Sequence, residues 1–409
     1  MRKMAESMTT VSEPIVHYLD ALSIQIGKFF QENRQTSETY LMKVELKNSL
    51  HSIISNVLPD LKFYIVGSSL NGFGVNQSSL DLCLADSKAV RQVSRIAVLM
   101  KRNLLSHFSQ GNKPRKGTGL IQSDLNFVLK SSSKGAKNGA SATSVLRKIM
   151  SALRQAGFKK GCRLIRAKVP LLKLRDRQSG IECGLNINNL SAVYNTRLLA
   201  MYARVDSRLR PLGMFVKHWA QKMGIYGGND GRLSTYALLM MLIQFLQCGC
   251  WPPVLPNLQA LFPKLIYYVL PVKKVSMNLK LPWSKMRSAN RSTLSELFAG
   301  FITYYATFDF TRWAISIRHG RPLSIDDELS SHASFQRRQV RYKCKIFIEE
   351  PFRKDNVTRC ISSKKVAGNI RRAFRRTDEV LRQLKPLESL WEKALPPSPT
   401  SKDVCINKD

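Results

Sequence analysis

The residues of this chain best suited to chemistry lie in one stretch. It reads Val66-Gly67-Ser68-Ser69-Leu70-Asn71-Gly72-Phe73-Gly74, then Ser79-Leu80-Asp81-Leu82-Cys83-Leu84. A glycine lets the backbone approach a phosphate closely, and amides at a helix start bind anions. A Gly-Ser pair after a strand is also a common turn. Asp81 alternates with Leu80 and Leu82, so on a strand it shares a face with position 79. A carboxylate is the hard oxygen ligand that Mg²⁺ favours.

These groups need elements to hold them. Leu61–Val66 and Asp81–Ala85 read as strands flanking the glycine turn. Before them, Ile15, Leu19, Leu22, Ile26 and Phe29 recur at helical spacing. Leu41, Val44, Leu50, Ile53, Ile54 and Val57 continue it after a polar break near Arg34–Ser37, and Pro59 ends the pair. Val90–Leu105 reads as a helix, and Ile165–Leu174 and Ile181–Ile187 as two more strands. Helices then dominate, at Arg197–Val205, Pro211–Met223, Ser234–Gln247 and Thr293–Phe308, the last with a Thr293/Glu296 capping box. Two late strands are expected at Ala314–Arg318 and Cys344–Ile348. A basic helix over about Lys364–Leu384 follows, with an apolar stripe of Val366, Ile370, Phe374, Val380 and Leu384.

The pattern predicts an α+β protein in which a small mixed sheet docks on a mainly helical domain. The expected organisation is N-terminal helices over 12–60 packing on the helical part, a sheet domain over 61–192, a helical domain over 193–385 and a disordered tail over 396–409. Gln110–Ser144, rich in Gly, Ser, Lys and Asn, reads as a flexible basic insertion in the sheet domain.

Composition narrows the partner. The chain has 409 residues with 65 Lys+Arg against 28 Asp+Glu, a net charge of +37. Such an excess favours a polyanion, and RNA or DNA gains by counterion release. The most apolar run, Ala237–Leu246, is too short to span a bilayer, and no lipidation signal is present, so no membrane is expected. Met1–Glu13 has no apolar core and carries acids, unlike a signal or transit peptide. The 8 cysteines form no Cys-x-x-Cys pair, and Cys83 and Cys183 read as core residues in a reducing compartment.

Several motifs together give a resemblance. Gly67 to Gly74, Asp81-Leu-Cys-Leu84, Leu164-Ile-Arg-Ala-Lys-Val-Pro170, Leu185-Asn-Ile-Asn-Asn189, Asn195-Thr196 and Glu349-Glu-Pro-Phe352 resemble the cytoplasmic noncanonical poly(A) polymerases of the germline-development type. That group belongs to the DNA polymerase β-like nucleotidyltransferase superfamily. The likeness runs from about Leu22 to Leu384. It implies two Mg²⁺ or Mn²⁺ ions on three carboxylates, which activate the RNA 3′-hydroxyl and neutralise the leaving pyrophosphate. Here Ser79 and Gly184 stand at two of those positions, and Asp81 is the carboxylate that remains. Glu182, two residues before Gly184, is the substitute to consider for the metal.

The resemblance also implies a nucleotide pocket with ATP as ligand. It comprises Gly67 and Ser68, the sugar- and base-contacting pair Asn195-Thr196 ahead of a helix, the triphosphate lysine Lys217, the phosphate-bonding Ser234 and the base-stacking Tyr236. His218 stands where relatives often have a second lysine. Uridine-adding relatives carry a histidine before Asn356 that is missing here, which points to adenine. RNA contact is expected from basic stretches containing Arg337 and Arg338, Arg163 to Lys173, and Arg371, Arg372, Arg375 and Arg376. A separate RNA-binding protein would supply specificity for single-stranded 3′ ends.

Three readings stand. One is an RNA-binding protein on a nucleotidyltransferase fold with impaired or absent catalysis. The second is an active or weakly active adenylyltransferase in RNA 3′-end processing. The third is an architectural basic protein using the fold as a scaffold. The replaced carboxylates favour the first. The cytoplasm is the expected location, with the nucleus open.

Overall fold

The computed structural model describes residues 13–86, 89–90, 142–158, 161–166, 169–263, 281–325 and 345–391. The expected helix after Val90, the insertion over 110–141, Arg337, Arg338, the start of the late strand at Cys344 and the tail all lie outside these residues. The chain divides into two compact units, one formed by 33–205 with 258–286, the other by 1–32, 206–257 and 287–409.

The first unit carries the glycine turn and Asp81. Its sheet contains β1 (Lys62–Val66), β2 (Leu80–Ala85), β3 (Arg163–Ile165), β4 (Leu171–Arg175) and β5 (Glu182–Ile187), in the order β1-β2-β5-β4-β3. The β2–β5 pair is parallel and the other three are antiparallel, the mixed sheet that was expected. The single strand expected over Ile165–Leu174 is two strands. Pro170 has no N–H to give a ladder, and the chain turns back so that Ile165 pairs with Leu171.

Alternation along the strands divides the sheet into two faces. Leu80, Leu82, Leu84, Leu172, Leu174, Cys183, Leu185 and Ile187 form the apolar one. It is covered by Leu46, Leu50 and Ile54 of α2 (Ser37–Ser55) and by Leu146, Ile149 and Leu153 of a helix over Ala142–Gln155. Each fully buried leucine contributes about 1.5–3 kcal/mol, which fixes the strand register firmly. Asp81, Lys173 and Gly184 alternate onto the other face. Along this sheet runs a helix over Leu190–Val205, beginning seven residues earlier than its expected start at Arg197.

The second unit is built of helices: α1 (Glu13–Asn33), then Leu209–Lys222, Thr235–Gln244, Leu294–Thr307 and Lys364–Arg382. The capping box at Thr293 and Glu296 is present. Trp219 is fully buried, its ring against Phe374 at 4.9 Å and its Nε1 donating to Thr377 Oγ1 at 3.0 Å. The basic helix buries Ala367, Ile370, Ala373, Phe374, Thr377 and Leu381. Val366 and Val380 are half-buried at its margins, and Leu384 lies beyond its end. Of the expected strand at Ala314–Arg318, only Trp313–Ala314 (β6) forms one, paired with Leu323–Ser324 (β7). Ile315 bridges to Ile348 without a longer ladder.

The expected boundaries are corrected in two places. The N-terminal helices do not stay together, because α1 belongs to the helical unit and α2 to the sheet unit. The sheet unit also continues past residue 192, through the helix over Leu190–Val205. Both corrections have one cause: the apolar stripes of α2 and of that helix find their partners on the sheet. No helix among the described residues is long and apolar enough to cross a membrane.

Candidate active site

The glycine turn follows directly from β1. Gly67 adopts φ 75° and ψ −149°, a region essentially reserved for glycine. Ser68–Asn71 then makes a single helical turn, closed by amides of Leu70 and Asn71 donating to Gly67 O. The Gly67 N–H donates to Thr196 Oγ1 at 2.8 Å. It is therefore engaged within the protein.

Asn195 and Thr196 do not precede a helix. They lie inside the one over Leu190–Val205, because Leu190, Val193 and Tyr194 already belong to its buried stripe. Thr196 Oγ1 donates to Ala192 O at 2.6 Å, one turn back, while accepting from Gly67. Thr196 thus locks the turn to this helix. Asn195 is half-buried, and its Oδ1 has no hydrogen-bond partner among the described residues.

A second group holds the turn from the other side, and sequence reasoning missed it. Gln35 N donates to Gly74 O at 2.8 Å, and Gln35 Nε2 donates to Ser69 O at 3.2 Å. Lys43, fully buried on α2, donates from Nζ to Gln35 Oε1 at 2.8 Å and to Ser78 Oγ at 2.9 Å. Thr36 N donates to Asn76 Oδ1 at 2.9 Å. The segment treated as a polar break is the frame of the turn. One signal was available: Lys43 occupies a position of the buried stripe Thr39, Lys43, Leu46, Leu50, Ile54, where a charge needs a reason.

The carboxylate sits in a row of three. Asp81 of β2 pairs with Gly184 of β5, which pairs with Lys173 of β4. A Cβ at Gly184 would lie 3.1 Å from Asp81 Oδ1, and one at Gly67 would lie 3.1 Å from Asp81 Oδ2. The carboxylate is therefore seated between two glycines. Burial pushes its pKa up to about 6, against the pull of the Lys43 and Lys173 charges. Burial likewise pushes Lys43 down to about 8, with Asp81 acting to hold it up.

Ser79 is half-buried just before β2, and its carbonyl accepts from Ser69 Oγ at 3.4 Å. Glu182 is exposed at the outer end of β5, in register with Arg175. Among the described residues, no three His, Cys, Asp or Glu side chains are grouped to hold a metal ion. The donors present do not fit two divalent ions. One carboxylate, a neutral hydroxyl and a glycine stand at the three positions, and Asp81 already fills the space beside Gly184.

The other expected residues belong to the helical unit. Ser234 is the N-cap of the helix over Thr235–Gln244, its Oγ accepting from Ala237 N at 3.2 Å. Tyr236 is half-buried, and burial holds its phenol well above the usual range. Lys217 is half-buried with Nζ 5.7 Å from the Tyr226 ring centre. His218 follows it on the same helix. It packs at 4.5 Å from Phe29 and 5.5 Å from Trp391. Glu349 and Glu350 are buried and structural. Glu349 pairs with Arg318 and Ser316, and Glu350 accepts from Phe352 N at 2.9 Å. On the basic helix Arg372 and Arg375 are exposed, Arg376 is half-exposed, and Arg371 lies 5.9 Å over the Phe310 ring.

Comparison with known proteins agrees with this architecture. A family model described as "Poly(A) RNA polymerase, mitochondrial-like, central palm domain" matches residues 22–113 and 114–204, and "Cid1 family poly A polymerase" matches 293–356. The solved GLD-2/RNP-8 complex structure is 33% identical, with TM-score 0.69, over 91% of this chain and 98% of that one. The chain belongs to the noncanonical poly(A) polymerase family.

Within that family, Poly(A) RNA polymerase gld-2 of Caenorhabditis elegans is 31% identical over 93% of this chain and 34% of its own length. Poly(A) RNA polymerase GLD2-A of Xenopus laevis is 30% identical over 91% of this chain and 62% of its own length. The present family member thus spans between about a third and two thirds of the length of these two relatives. A solved cytoplasmic RNA terminal U-transferase, 22% identical with TM-score 0.64 over 92% of this chain and all of that one, shares the fold.

Proposed function

We propose that this chain is an RNA-holding member of the noncanonical poly(A) polymerase family whose adenylation step is impaired or lost. One observation carries the reading: the row Asp81–Gly184–Lys173, with Ser79 ahead of it, offers one carboxylate where two-metal phosphoryl transfer needs several. Mg²⁺ or Mn²⁺ binding is correspondingly weak or absent. RNA holding rests on the +37 charge and on the exposed guanidinium groups of the basic helix. ATP is the proposed nucleotide ligand. Two solved relatives are complexes, GLD-2/RNP-8 and GLD-2 with GLD-3, which supports a protein partner here as well. The proposed location is the cytoplasm.

The test is extension of labelled oligo(A) by the purified chain with ATP and Mg²⁺ or Mn²⁺. No processive tail is expected. Robust extension that disappears in Asp81→Ala would establish an active adenylyltransferase instead.

A further inference from the structure

In the helical unit, Trp251 is 88% exposed, more than any other large apolar side chain among the described residues. Its backbone is nonetheless fixed. Val254 N and Leu255 N both donate to Leu246 O, at 2.8 and 2.9 Å, which folds the loop back onto the helical turn over Phe245–Gly249. Asn290, itself 3% exposed, donates from Nδ2 to Pro252 O at 2.7 Å, and Ser288 Oγ donates to Pro253 O. Asn290 Oδ1 accepts from Arg208 Nη1 at 3.1 Å and from Ser292 N at 3.0 Å. The loop over 250–253 and the segment over 287–292 are thus clasped together, and the indole stands just ahead of the clasp.

The clasp also brings charge. Arg287 and Arg291 are exposed, and they adjoin Ser288 and Asn290 in the chain. Among the described residues neither forms a salt bridge, and the indole makes no ring contact. Arg208 differs, being neutralised by Asp206 at 2.8 Å. The segments 248–257 and 287–292 contain Arg287, Arg291 and no acid. An exposed aromatic face beside unpaired guanidinium groups suits single-stranded RNA, because a base stacks on the ring while backbone phosphates meet the cations. A protein partner fits less well. It needs about 800 Å² a side, and neither clasped segment carries another exposed large apolar side chain.

We propose that Trp251, flanked by Arg287 and Arg291, is a stacking site for a base of single-stranded RNA. The inference rests on the reading of the chain as RNA-holding. It adds a base contact where charge alone supplies only phosphate contacts.

The experiment is fluorescence anisotropy with the full chain in EDTA, using labelled oligo(A) and an abasic ribose-phosphate strand of the same length. The proteins are the wild type, Trp251→Ala, Trp251→Phe and the pair Arg287→Gln with Arg291→Gln. Trp251→Ala should weaken oligo(A) about tenfold, the scale of one base–aromatic stack, with the salt slope unchanged. Trp251→Phe should stay within about threefold of the wild type, since it keeps a ring face. On the abasic strand Trp251→Ala should match the wild type within about twofold. The arginine pair should make the salt slope shallower by about one, at roughly 0.7 per phosphate. The indole is exposed, so removing it leaves the core intact. Three results would each overturn the proposal: oligo(A) binding by Trp251→Ala within about twofold of the wild type, an equal loss on the abasic strand, or an unchanged slope for the arginine pair. The first, with wild-type RNA binding intact, would leave the indole to a protein partner and the RNA-holding reading standing. A wild type that does not bind oligo(A) at all would remove both.

Discussion

At the scale of single residues, the glycines around Asp81 are the sharpest test. Gly67→Ala forces a side chain into a glycine-only backbone region, with its Cβ 3.1 Å from Asp81 Oδ2. The expected loss is about 1–3 kcal/mol in urea unfolding; a change near zero would mean that the turn relaxes freely. Gly184→Asp meets the same carboxylate from the other strand, at 3.1 Å from Oδ1. Alone it sets two anions side by side. With Ser79→Asp it completes three, and ligands of one ion act as a unit. The double variant should bind Mn²⁺, followed by its paramagnetic resonance, more tightly than either single variant. Wild-type affinity in the double variant would disprove the inferred geometry. Gly67, Ser79 and Asp81 were legible because they lie close together in sequence. Lys43 was not, because it meets Ser78 across 35 residues, and no local pattern reports a contact made by folding.

At the scale of elements, periodicity located the long helices and most strands, and failed where a residue has two uses. Asn195 and Thr196 are good helix caps, so the sequence suggested a start there. In the fold Thr196 bonds back along its own helix and forward to Gly67. The basic helix was read almost to its ends, because its buried face follows a clean 3.6-residue period. His218, on the helix over Leu209–Lys222, gives this scale its prediction. Burial, then the Lys222 charge, lowers its pKa from 6.5, while Glu388 pulls the other way. A depressed pKa means that the neutral ring is the stable form in the fold. The stability it contributes is present above pH 6.5 and is lost as pH falls through the folded value. Denaturation measured from pH 8 down to pH 5 should show the wild type losing stability relative to His218→Phe below about pH 6.5. Parallel curves would mean that the ring is not desolvated.

At the scale of the whole molecule, charge was legible from composition alone, whereas the division into units was not. Helical spacing says which face of α1 or α2 is buried but not what buries it, and these neighbours in sequence belong to different units. The +37 charge predicts RNA affinity that falls steeply with salt, with a logarithmic slope near roughly −0.7 per phosphate contacted on a single strand. Replacing Arg371, Arg372, Arg375 and Arg376 together by Gln should make that slope shallower by about two to three, measured by fluorescence anisotropy between low and moderate salt. An unchanged slope would assign the face to solubility alone.

The frame beneath the glycine turn has a consequence for how this protein can change. Its shape is set by Gln35, Lys43, Asn76 and Thr196, none of which is a metal ligand. Positions 79 and 184 can therefore exchange a carboxylate for serine or glycine while the turn keeps its course. Such exchanges leave the hydrogen bonds of the frame in place, although a side chain at 184 also meets Asp81 Oδ1 at 3.1 Å and would register in melting. Catalysis and architecture are separable inheritances here, and a lineage could shed the first with the second untouched.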